Sequence, residues 1–453
     1  MTHGSSSPFR ILIILALLAT PAGLRAQPTA PAEAGTCPVP DEPSWTAQEK
    51  FVWARICAGE TANFNSGRTY GGNIDPRTTP LPDNRILRNA FIETILTDDK
   101  YLKAIKHHGV RVSGARFTEP IDLQNVTLAN ELWFESCLFE KGADLALLRA
   151  SQTVRVNRSK VAGELNLYAA RVASELQIID SRIARLELSA AHIDHALDLD
   201  KTQVTEWLRM PGVDVGWSLT MNGGEYANVG LVGAHVAHSL NFNGSRVTGQ
   251  LQMDSVQVGV YLHLQNATLD SVDLLGARVQ NQLSFVGAKV TGQLDMFDAQ
   301  IGTDLWMQDG EFFGPVSLRS TQVGGQLNWT KAIFHKDVDL SGAHVGGEFR
   351  LSGARWPDKA TLTARYARIG VLPRLSDAWP DKLHVFGLIY DGIAETGDDF
   401  RPWFKRQDKY ARQPYEQLAT VLQARGDIEA ATAVRVAERD RDRSRQPWYI
   451  YAW

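Results

Sequence analysis

The side chains of this chain that could hold a metal, move a proton or form a covalent bond are thinly spread. Seven histidines lie in its middle stretch: His192, His195, His235, His238, His263, His335 and His344. His235 and His344 hold the same outward slot of the repeat described below, whereas His238 and His263 sit elsewhere in the unit. No two of them show the shared face and spacing that a metal site requires. Acids are denser. Asp254, Asp270, Asp273, Asp295, Asp298, Asp304, Asp309 and Glu311 follow one another with few bases between them. They read as an acidic face for a basic partner, or as solubilising charge that also discourages edge-to-edge association. No Gly–Gly–x–Gly–x–Asp phrase accompanies them, so a calcium site is not assigned. Cutting a glycan would need such carboxylates beside a groove lined by outward aromatics. Trp207, Trp217, Trp306 and Trp329 are the aromatics to consider, Trp329 in an inward slot and Trp306 in an outward one. Asp295, Asp298, Asp304, Trp306 and Asp309 form the possible partner face.

Thiol and cofactor chemistry is sparser still. Cys37 and Cys57 flank a helical-looking segment and are the disulfide candidate in an oxidising compartment. Cys137 falls in a small-residue slot of the repeat and reads as a buried structural thiol. There is no Gly-x-Gly-x-x-Gly after a strand, no Walker loop, no Gly-x-Ser-x-Gly and no His-Glu-x-x-His. No catalytic, cofactor-binding or metal site is assigned, no cofactor is expected, and the chain is read as not an enzyme.

The elements that must position these side chains follow from a repeat. From Ala115 to Trp356 the phrase small–x–Val/Ile–x–x–x–Leu–x–apolar returns roughly 23 times, about 11 residues apart. Gly276 onward reads GARVQNQLSFVGAKVTGQLDMFDAQIGTDLWMQDG. Three steps are one residue short (Ser181 to Ala191, Gly224 to Ala234, Ala267 to Ala277), which lays a super-period of about 43 residues over the first. Within a unit the apolar residues alternate, as on an extended strand. Val, Ile and Thr crowd the phrase and Gly recurs at its joints, which argues against helix. Two units, about 22 residues, make one coil of a β-solenoid, and roughly 11 coils would stack about 4.8 Å apart. The core ladder is then Ala234, Val236, Leu240, Phe242, Ala277, Val279, Leu283, Phe285, Ala288, Val290, Leu294 and Met296. Its Ala, Ser, Thr and Gly positions are small because only a short side chain fits inside a sharp corner.

The phrase resembles the pentapeptide-repeat proteins. Ala277–Arg–Val279–x–x followed by x–Leu283–Ser–Phe285–Val–Gly splits into two quasi-pentapeptides with one residue inserted. The resemblance covers a little over half the chain and implies a right-handed quadrilateral β-helix. It departs from the family pattern in its period of about 11 and in the Val or Ile that often replaces the central Leu.

Around the solenoid the chain divides as follows. Residues 1–26 read as a signal peptide, with Arg10 before the apolar run Ile11–Ala19 and a small-residue site ending at Ala26. An uncleaved anchor is the alternative, although the run is short for a bilayer. Residues 27–36 are a Pro/Ala-rich linker, 37–112 a helical N-terminal cap, 113–356 the β-helix and 357–400 an apolar C-terminal plug with a last strand or two. Residues 401–445 form a helical hairpin broken at Arg425–Gly426–Asp427, and 446–453 are an aromatic tail. The hairpin, opening Gln413–Pro–Tyr–Glu–Gln–Leu–Ala419, resembles a C-terminal element of bacterial envelope proteins named membrane-associated oxidoreductases.

Mainly β, with helical caps, is therefore the expected fold. From Ala115 to Trp356 about 27 acids face about 19 Lys and Arg, so the shaft is net acidic. The expected function is a non-catalytic, exported interaction scaffold in the periplasm or cell envelope, with a protein or envelope component as partner. Nucleic acid is not an expected partner. Peripheral membrane association could come through the basic C-terminal region. A carbohydrate-active β-helix enzyme is one alternative; an acidic DNA mimic is the other, if the chain is not exported.

Overall fold

A computed structural model describes residues 44–444 apart from 358, 396 and 408. The signal and linker assigned to 1–36, Cys37 and the tail 446–453 lie outside the described residues.

The repeat folds as its alternation demands. One coil, from Ala277, contains four short strands: Arg278–Val279, Gln282–Ser284, Lys289–Val290 and Leu294–Asp295. These define faces one to four. Each pairs in parallel with its counterparts one coil away on either side. Val279 sits between Val258 and Ile301, Leu283 between Leu262 and Leu305, Val290 between Leu269 and Phe312, and Leu294 between Val272 and Val316. The result is a parallel β-solenoid of about 13 turns with about 22 residues per coil. All twelve core-ladder residues point inward and are at most 2% exposed, so the bore is filled by side chains.

Two corners per coil are tight turns, at Val286–Gly287 and Phe297–Asp298 in this coil. The residue just before each small position is left-handed. It is Asn125, Ser136, Leu147, Arg158 and Ala169 early in the shaft, and Gly233, Gly244, Gly276 and Gly287 later. A left-handed residue reverses the chain within two residues, which lets the next side chain drop inside the corner. That next side chain is most often short, as at Ala277, Ala288 and Ala299, although Leu148, Val213 and Val256 also fill the slot.

The short steps of the super-period have a place too. The apolar residues of faces three and four are Val161 and Leu165 in one coil but Ile183 and Leu186 in the next, and the ladder shifts register between them. The same shift separates Val247 from Gln250 where they face Leu269 and Ser271. The missing residue is taken from the bend between two faces, so inward ladders on either side stay aligned.

The N-terminal cap contains α1 (Ala47–Ala58), α2 (Asn89–Thr97) and α3 (Asp99–Leu102). Thr46 and Glu49 close a capping box on α1. Glu49 is fully buried and meets Arg88 at 2.6 Å. Ala62–Asn63 adds the first parallel strand, against Val112–Ser113.

The stretch 357–400 holds more strand than the one or two expected of it. Thr361–Thr363, Arg368–Leu372, Lys382–His384 and Ile389–Ile393 continue the same ladders. The repeat had seemed to break at Trp356 because His344 pairs with Arg368, a longer step than any before it. A local insertion hides the phrase without ending the stack. Beyond it lie α4 (Arg401–Lys405), α5 (Gln413–Ala424) and α6 (Ile428–Arg443). The last coil has a strand edge, and α5 covers it. Gln413 Nε2 donates to Leu388 O at 3.0 Å, Gly387 N donates to Gln413 Oε1 at 2.8 Å, and Gln417 Nε2 donates to Tyr390 O at 2.8 Å. Backbone groups that would template another strand are thereby occupied.

Candidate interaction surface

Because coils stack in register, outward residues also form ladders, and these sort the charge. On face one the rungs run Thr127, Arg149, Arg171, His192, Asp214, His235, Gln257, Arg278, Gln300, Gln322, His344 and Arg368. All but Asp214 are exposed. Arg149, Arg171, Arg278 and Arg368 make no ion pair among the described residues. Face four reads Asp122, Asp144, Asn166, Glu187, Arg209, Gly230, Gln252, Asp273, Asp295, Ser317 and Asp339. Six carboxylates there accompany one arginine. The net acidity of the shaft thus conceals a cationic face beside an acidic one.

The proposed partner face does not survive as one surface. Asp295 lies on face four and pairs with Ser317, while Trp306 lies on face two and pairs with Ser284 and Asn328. Asp304 leads into face two. Asp298 and Asp309 are left-handed corner residues at φ 57° and 54°, on alternate corners. Residues 11 apart are half a coil apart; only a whole coil brings side chains together. Trp306 does point outward but is half-buried, and its indole nitrogen has no partner. Trp329 is fully buried as its inward slot requires, and Trp207 stacks under the Arg209 guanidinium at 4.2 Å. Trp217 is the exposed one, stacked on His238 with ring centroids 4.3 Å apart.

Two histidines prove to share a face, two rungs apart. His192 and His235 share face one, with Asp214 on the rung between them. Asp214 Oδ2 lies 2.8 Å from His192 Nδ1, and Oδ1 lies 2.8 Å from His235 Nδ1. His192 Nε2 lies 2.9 Å from Asp194. The relation was hidden because one short coil makes the two steps unequal. The His235 hydrogen bond, and then His192, hold the Asp214 carboxyl below its usual range against the opposing effect of burial. No group of three metal-ligating side chains close enough to hold an ion occurs among the described residues.

One carboxylate pair stands out at the edge of face four. Burial, the Asp254 carboxylate and then Asp295 push Asp273 up to about 6. Asp254 Oδ1 is buried and has no hydrogen-bond partner among the described residues. A hydrogen bond from the protonated Asp273 carboxyl to Asp254 is one cause of that rise. The thiols are inert by comparison. Burial pushes free Cys137 up to about 12, and Cys57 is disulfide-bonded, while its assigned partner Cys37 lies outside the described residues.

Fold and surface together define a class, a capped parallel β-solenoid repeat protein whose outward ladders are charge-sorted. No family model, curated protein or solved structure matches the chain.

Proposed function

We propose that this protein is a non-catalytic, exported scaffold of the bacterial envelope, a stiff rod that docks an extended partner along face one. The observation that carries the reading is the exposed ladder on that face, four arginines without ion pairs together with histidines and glutamines, held at fixed spacing by a filled core. Tight corners leave few loops from which a substrate cleft could be built. The split into coils of quasi-pentapeptides supports a divergent pentapeptide-repeat protein, and the α5–α6 hairpin supports kinship with the envelope proteins it resembles. An all-acidic DNA mimic fits poorly, since face one is cationic. The enzyme alternative keeps one specific support, the Asp254–Asp273 pair, because an acid titrating near 6 suits proton transfer.

Two measurements test the reading. Residues 1–26 fused to a periplasm-dependent phosphatase should give activity outside the cytoplasm; an inactive fusion would count against export. A photo-crosslinker at Gln300 on face one should capture a component in intact cells that the same group at Gln203 on face three does not. Equal capture at both positions would remove face one as the docking surface. Turnover of a polysaccharide panel, lost in Asp273→Ala, would replace the scaffold with the enzyme.

A further inference from the structure

Face one also indicates what kind of partner lies on it, and this inference rests on the scaffold reading. Its outward slots form two rows along the shaft. One is the ladder of Arg, His and Gln. The other, two residues further on, is mostly small, as at Gly216, Ala237, Gly259, Gly302 and Gly324. Backbone packing dictates the glycines of this row, although Asp194 and Gln280 also stand in it: a Cβ on Gly259 would stand 1.9 Å from the Ala237 carbonyl oxygen, and one on Gly302 1.8 Å from that of Gln280. Long polar side chains therefore rise beside a floor of bare peptide. The trough deepens into two grooves, about 360 Å³ beside Arg149, Arg171, His192 and one carboxylate, Asp194, and about 290 Å³ beside Arg278, Gln300 and Gln322. At the bend toward face two stands Trp217, 56% exposed.

We propose that this trough binds a linear polysaccharide carrying acidic sugars, laid along the axis of the shaft. The unpaired arginines supply charge complementarity to carboxylates spread along a polymer. Rungs about 4.8 Å apart match the span of one sugar unit closely enough for a chain to follow the ladder. Gln257, Gln300 and Gln322 each offer a donor and an acceptor, as sugar hydroxyls require. The flat indole of Trp217 presents an apolar surface to a sugar ring. An acidic peptide would gain affinity from adding a strand, but the strands of face one are already paired on both sides. Nucleic acid meets the six carboxylates of face four around the corner and a chain of net charge −4.

The test is affinity electrophoresis and calorimetry of the purified full chain with polygalacturonate and alginate, with dextran as neutral polymer and single-stranded DNA as the competing class. Binding to an acidic polymer, strengthening as salt falls and absent for dextran and DNA, is expected. The double variant Arg171→Ala/Arg278→Ala should weaken it about tenfold or more, as should Trp217→Ala. Arg182→Ala/Arg246→Ala, on face three, should leave the Kd within about twofold. No binding to either acidic polymer at low salt, equal weakening by the two arginine pairs, or tighter binding to DNA would overturn the inference. A bound polymer that is also shortened would uphold the trough and sink the non-catalytic reading. A face-one crosslink without affinity for either polymer would do the reverse.

Discussion

Asp214 and His235, one coil apart, are joined Oδ1 to Nδ1 at 2.8 Å, and the other oxygen of the same carboxylate meets His192. The contact exists only because each coil returns face one to the same place. Its thermodynamic sign follows from the lowered Asp214 pKa. A carboxyl depressed in the fold contributes stability above its unfolded value of 3.8 and loses it as pH falls through the folded value. Asp214→Asn should therefore flatten the acid limb of a melting-temperature profile below about pH 4. At neutral pH its cost should stay under about 1 kcal/mol, since the cluster is solvent-exposed. An unchanged acid limb would refute the coupling.

Asp273 behaves in the opposite sense. Its folded pKa of about 6 lies above the ordinary 3.8, so its contribution is fully present below 3.8 and is lost as pH rises through about 6. Asp273→Asn keeps a donor for Asp254 Oδ1 at every pH. The variant should be more stable than the natural protein above pH 6, by about 1 kcal/mol, and no more stable below pH 4. Denaturant titrations at pH 4 and pH 8 check this; equal differences at both would mean that the two carboxyls do not share a proton.

Glycines do two different jobs in the shaft, and substitution separates them. Gly302 is small because a carbonyl lies against it, so Gly302→Ala should cost about 1–3 kcal/mol or more. Gly233 sits at φ +64° with nothing within 4 Å of an added Cβ. Asn already fills the equivalent corner at Asn125 and the alternate corner at Asn266. Gly233→Asn should thus stay within about 0.5 kcal/mol. Chemical denaturation of the two variants would show the reverse order if the floor of face one were loosely packed.

The C-terminal cap should control association. Gln413→Ala/Gln417→Ala would leave three backbone groups at the last strand edge, Gly387 N, Leu388 O and Tyr390 O, without their side-chain partners. Each loss should cost about 1–3 kcal/mol if the site stays dry, and the opened edge should pair with another chain. Size-exclusion chromatography should show oligomers that the natural protein lacks at equal concentration. A variant as monodisperse as the parent would show that packing of α5, and not its glutamines, protects the edge.

The inward half of the molecule was legible in the sequence. Ala277, Val279, Leu283 and Phe285 announce themselves by type, because burial tolerates few residues and the same few recur at every rung. The left-handed residue before each small one was less visible, since Gly, Asn, Asp, Ser, Lys, Leu, Ala and Arg all occupy that corner. After Trp356 only a last strand or two is legible where four form, because an insertion lengthens one coil and local spacing carries no sign of it.

The outward half was decided by tertiary structure. Solvent accepts almost any polar residue, so no recurrence marks which outward positions belong together. A unit of about 11 residues repeats the sequence phrase, yet two units are needed to return to the same face. Asp295 and Trp306 look alike as neighbours in that phrase and fall in different sheets, while His192, Asp214 and His235 look unrelated and touch. Sequence alone determined a repeating inward pattern that had to stack. Only the closure of the coil, with its one-residue shortenings absorbed at the bend between faces three and four, put Arg149, Arg171, Arg278 and Arg368 on one face and six carboxylates on another.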